Sequence, residues 1–132
     1  MNMVRIFSCP RGQAALEMAL ILPILLLLVF GTVDFGLIFL TRSQVEEASA
    51  TGARLASLGT AGAAVESTVE ADYPGLTVNL SYNPGDTVGA QVTVTASKPY
   101  VVLTPVIAAF LGTSRLTISG DTTMVVEQVP GS

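Results

Sequence analysis

Apolar residues change their spacing as this chain proceeds, and each spacing predicts a different element. Met18 to Val33 carries no charged side chain, inside a longer apolar stretch from Ala14 to about Leu40. A bilayer core of about 30 Å needs about 20 apolar residues, so this stretch predicts a membrane-spanning helix. Beyond it the apolar positions thin to three- and four-residue steps: Val45, Ala48, Gly52, Leu55 and Ala56, with Leu58 on the same face. Arg42, Glu46 and Glu47 fall off that stripe, and Arg42 and Glu46 have the spacing of a weak helical ion pair. Together the two patterns predict one helix from about Gln13 to Leu58, roughly 70 Å long, with Gly59 as its C-cap. Pro23 lies inside it and removes one hydrogen bond, which predicts a kink or one broken turn.

After a small-residue linker at 60–64, Val65 to Tyr73 predicts a short helix that ends at Pro74-Gly75. Strict alternation follows: Leu76, Val78, Leu80 and Tyr82 against Thr77, Asn79 and Ser81, then Val88, Ala90, Val92, Val94 and Ala96. With the turn residues Asn83-Pro84-Gly85-Asp86 between the two runs, this reads as a β-hairpin, ended by Lys98-Pro99. Pro105 to Leu111 predicts a short helix closed by Gly112. Leu116 and Ile118 start a third strand, expected to pass a disturbance near Gly120-Asp121 before Met124 and Val126. A two-stranded hairpin is marginal alone, and the helix beyond Leu40 needs a surface for its stripe. The fold expected is therefore α+β: a long N-terminal transmembrane helix packed on a small antiparallel sheet. Its parts are a leader at 1–12, the helix at 13–58 with its membrane half at about 14–40, and a small β-rich extracytoplasmic domain at 59–132.

Charge sets the orientation. Arg5 and Arg11 precede the apolar run and only Arg42 lies close behind it, so the positive-inside rule puts the N-terminus in the cytoplasm. The net charge is −4, and loss of residues 1–12 would leave 4 basic against 10 acidic residues, or −6. An acidic chain argues against nucleic acid or anionic lipid as the main partner. Catalysis is not expected: there is no histidine, the single cysteine is Cys9, and no glycine-rich phosphate loop occurs. The carboxylates are scattered and do not suggest acid–base work on one element, so neither a cofactor nor a metal is expected.

Two carboxylates interrupt the apolar run at positions where charge is costly. Glu17 stands five residues after Gly12, between a basic leader and the span, and Gln13 follows the glycine directly. Asp34 marks the far interface, or lies within the span and needs a polar partner, a basic residue of another subunit or a group on the sheet. Arg54, near the end of the helix, bridges to Asp72 or Asp121 or is solvated beside the helix dipole. Tyr73, Tyr82 and Tyr100 read as residues at the edge of the core.

The arrangement Gly12-Gln13-Ala14-Ala15-Leu16-Glu17 resembles the signal of type IV prepilins. Its continuation through Met18-Ala19-Leu20-Ile21-Leu22-Pro23, then Val33-Asp34-Phe35-Gly36 and the segment Ala48 to Ala56, resembles TadE-like pseudopilins. The resemblance implies a minor pilin of a tight-adherence, Flp-type pilus, working in surface attachment and biofilm formation. It implies cleavage by a prepilin peptidase between Gly12 and Gln13, with Glu17 as the residue for recognition and assembly register. Implied partners are other pilin and pseudopilin subunits and the pilus assembly machinery of the bacterial inner membrane. The substantial region after Leu58 favours a minor role, because major Flp-type subunits are little more than the helix. The competing expectation is a signal-anchored bitopic membrane protein that keeps residues 1–12 and binds a partner through its outer domain.

Overall fold

The computed structural model describes residues 10–81 and 87–128. The leader up to Cys9, Tyr82 and the turn expected at Asn83–Asp86 lie outside the described residues. In chain order the elements are α1 (Pro10–Ser57), α2 (Gly62–Asp72), β1 (Thr77–Leu80), β2 (Gln91–Val101), α3 (Pro105–Leu111) and β3 (Arg115–Val125). The strands form one antiparallel sheet in the order β1-β2-β3. The fold is α+β, a long apolar helix against a three-stranded antiparallel sheet, as the residue pattern predicts.

Helix α1 runs for 48 residues and continues through Pro23. Its alanines and leucines are strong helix formers. Two hydroxyls within its apolar stretch are satisfied along the helix itself, Thr32 Oγ1 donating to the Leu28 carbonyl and Thr41 Oγ1 to the Leu37 carbonyl, each at 2.8 Å. The C-terminus closes in a Schellman motif: Gly59 N–H donates to the Ala56 carbonyl at 3.0 Å and Thr60 N–H to the Leu55 carbonyl at 3.2 Å. Gly59 sits at φ 79°, a conformation that needs no Cβ. The segment after β3 then returns to this end, with Glu127 N–H donating to the Ser57 carbonyl at 2.8 Å.

The core lies entirely against the second half of α1. Val45, Ala48, Ala53 and Ala56 meet Val78, Val92, Val94 and Ala96 from the sheet and Val65 and Val69 from α2. Each fully buried valine is worth about 1.5–3 kcal/mol. The opposite sheet face is polar, with Thr93 and Thr123 paired across β2 and β3 at 2.7 Å between hydroxyls. Gly52 is what lets the helix seat. A Cβ placed there would stand 2.9 Å from Val94 Cγ1 and 3.5 Å from Val69 Cγ2.

Two expected interruptions are absent. β2 does not end at Lys98-Pro99 but runs to Val101, paired with β3 throughout. β1 pairs only with residues 94–97 of β2, so at Pro99 one side of β2 is an open edge, where a missing N–H is tolerated. β3 likewise passes Gly120-Asp121 in continuous register, Ala96 opposite Gly120 and Thr95 opposite Asp121. Gly120 is a seat for the helix: an added Cβ would lie 3.2 Å from Val45 Cγ1.

Candidate functional site along the long helix

The first half of α1 makes almost no tertiary contact. From Gly12 to Leu40 every side chain is exposed except Asp34, which is buried, and Gly31 and Ile38, which are half-buried. Such length and hydropathy are consistent with a single membrane span. Gly12 and Gln13 lie in its first turns, and an added Cβ at Gly12 would touch nothing within 4 Å. Glu17 is one turn further on, exposed and without a hydrogen bond to another described residue. The geometry thus presents the Gly12-Gln13 bond and the Glu17 carboxylate openly on a bare apolar helix.

Asp34 is different. Only 1% of it is exposed, and three donors converge on its carboxylate. Tyr100 Oη donates to Oδ1 at 2.9 Å, Leu103 N–H to Oδ1 at 3.0 Å, and Thr104 N–H to Oδ2 at 2.9 Å. A carboxylate that accepts charge-assisted bonds from fixed donors is well accommodated away from water. Among the alternatives the sequence leaves open, this is the geometry of a helix–sheet polar contact, with a tyrosine and two backbone amides as the partners. Asp34 pins the end of β2 and the entry to α3 onto the helix.

Tyr100, Leu103 and Thr104 had no distinctive signature in the sequence. Two of the three donors are backbone amides, which any residue supplies. The available signal was Asp34 itself, a carboxylate inside an apolar helix that demands donors, together with Tyr100 beside the uncharged stretch that follows it.

Arg54 stands exposed in the last turn of α1 and makes no ion pair with Asp72 or Asp121. Among the described residues the one ion pair is Arg42 with Glu46 at 2.9 Å, on the solvent side of the helix. Tyr73 packs against the core. Among the described residues no group of three His, Cys, Asp or Glu side chains is placed to hold a metal ion. A small open notch bordered by Gln44, Asp72, Tyr73 and Lys98 brings together no set of groups suited to catalysis.

The family model described as TadE-like protein matches residues 12–54, nearly the whole of α1 and about a third of the chain. The chain therefore carries a TadE-like domain at these residues. No curated protein matches the chain, and no solved structure matches it.

Proposed function

With a TadE-like domain in its long helix as the premise, we propose that this protein is a minor pilin or pseudopilin of a tight-adherence pilus used for surface attachment. The single observation that carries the reading is the TadE-like match beginning at Gly12, where the glycine, Gln13 and Glu17 open a bare apolar helix. TadE-like proteins are pilin-related and generally structural rather than catalytic. The membrane half at about 14–40 holds the subunit in the inner membrane, N-terminus in the cytoplasm and the β-rich region at 59–132 outside. A prepilin peptidase removes residues 1–12, cutting between Gly12 and Gln13. Glycine serves there because a protease reaches its backbone unhindered and because it resists the helix by about 1 kcal/mol relative to alanine.

Cleavage leaves a free amine at Gln13, four residues before Glu17 and on the same helix face. In a bundle of such helices, Glu17 of one subunit attracts the new amine of a neighbour. In a medium of low dielectric that pairing is far more favourable than a lone carboxylate, and it fixes the axial register of the helices. Other pilin subunits and the inner-membrane assembly machinery are the partners on this account. The test is fractionation of sheared pili from cells carrying Glu17→Ala. The variant should be processed normally but be lost from the pilus fraction; normal incorporation would remove the register role.

A further inference from the structure

The connection between β2 and β3 is the part of the molecule that the pilin reading leaves unexplained. Contacts along α1 show where it goes. Lys98 Nζ donates to Gln44 Oε1 at 3.2 Å, Tyr100 reaches Asp34, and Ile107 Cδ1 lies 3.5 Å from where a Cβ of Gly31 would stand. The hairpin thus runs down the helix, past the packed half and onto the bare half. Gly31 falls within the apolar run whichever way its span is counted. About 20 residues cross the hydrocarbon core, so a span begun at Ala14 ends near Val33 and one begun at Met18 ends near Leu37. α3, packed at Gly31, is therefore at bilayer depth if α1 is.

Its surface suits that depth. No charged residue occurs from Pro99 to Ser114. Leu103, Val106 and Leu111 are 63%, 56% and 46% exposed, and the apolar side chains of the bare half of α1 are exposed as well. The basic residues flank this surface on the side of the sheet: Arg42, Lys98 beside Gln44, and Arg115 opposite Val101. That is the level of lipid headgroups, where long cationic side chains are at home. The buried Asp34 fits the same picture, because a carboxylate at this depth needs donors that travel into the membrane with it.

The geometry points to α3 and the residues before it as a second, monotopic membrane anchor, buried among the acyl chains of the leaflet that faces the sheet. The occupant of the exposed face of Leu103, Val106 and Leu111 is lipid. The inference rests on the membrane reading of α1 and is independent of pilus assembly. It makes the hairpin tip hold the sheet against the bilayer while Asp34 locks the tip to the span.

The chain contains no tryptophan, so single tryptophans report cleanly. The full-length protein is reconstituted in phosphatidylcholine vesicles with and without bromine-labelled acyl chains. Val106→Trp is compared with Leu28→Trp in the span and Val125→Trp at the far end of the sheet, all three at exposed sites. Val106→Trp should show blue-shifted emission and lose intensity to the brominated lipid as Leu28→Trp does, while Val125→Trp does neither. Quenching at Leu28 without quenching at Val106 overturns the anchor and leaves the span standing, whether the emission is that of a water-exposed or a protein-covered ring. No quenching at Leu28 overturns the span and the anchor with it.

Discussion

Replacing Asp34 should loosen the hairpin tip from the long helix without unfolding the sheet. The carboxylate accepts three hydrogen bonds, from Tyr100 Oη and from the amides of Leu103 and Thr104. In Asp34→Asn one oxygen remains to serve Tyr100 and Leu103, but the amide nitrogen then faces the Thr104 N–H, donor against donor. One charge-assisted bond is lost, worth about 1.5–3 kcal/mol, and the other two fall to neutral strength, each losing roughly half its value. Neighbours relax and water enters, so a net loss of about 2–4 kcal/mol in local opening free energy is expected, or an open population between about 30- and 700-fold larger at 1.4 kcal/mol per tenfold. Asp34→Ala removes all three acceptor contacts and should lie at the upper end. The assay is amide hydrogen exchange on the reconstituted full chain, read at Leu103 and Thr104, with Val94 and Ala96 in the middle of β2 as internal references. Exchange should accelerate at the first pair and hold at the second. Unchanged protection of Leu103 and Thr104 in Asp34→Ala would refute the pinning role; equal acceleration at Val94 would show that Asp34 supports the whole fold rather than the tip.

The seating of the helix on the sheet is tested at Gly52. Gly52→Leu forces a side chain into the 2.9 Å gap before Val94 Cγ1 and should cost at least about 1–3 kcal/mol, read as a fall in the denaturation midpoint; a midpoint unchanged from the native chain would mean the helix does not seat there.

Much of this fold is legible in the residue pattern because its elements have strong periodicities. The bare half of α1 needs only an uninterrupted apolar run, and the stripe from Val45 to Ala56 predicts the packed half, down to the glycine that ends it. The pattern and the structure part where a local signal has a non-local cause. Lys98-Pro99 reads as a strand end, yet β1 stops short of it and leaves the proline an edge on which it costs little. Gly120 reads as a break, yet its missing side chain is the room that Val45 of α1 occupies. The Asp34 cluster was least legible of all: the carboxylate was conspicuous, but two of its donors are backbone amides some 70 residues away in the chain. Their position depends on how far β2 extends before the chain turns into α3, which no spacing rule records.

A pilin of this kind is defined by cleavage of the Gly12-Gln13 bond. Intact mass and N-terminal sequencing of the protein, produced with and without a prepilin peptidase that cuts a control pilin, test it directly. A chain beginning at Gln13 should form only when the peptidase is present. A chain still beginning at Met1 under both conditions would contradict it and leave a signal-anchored membrane protein in place of a pilin.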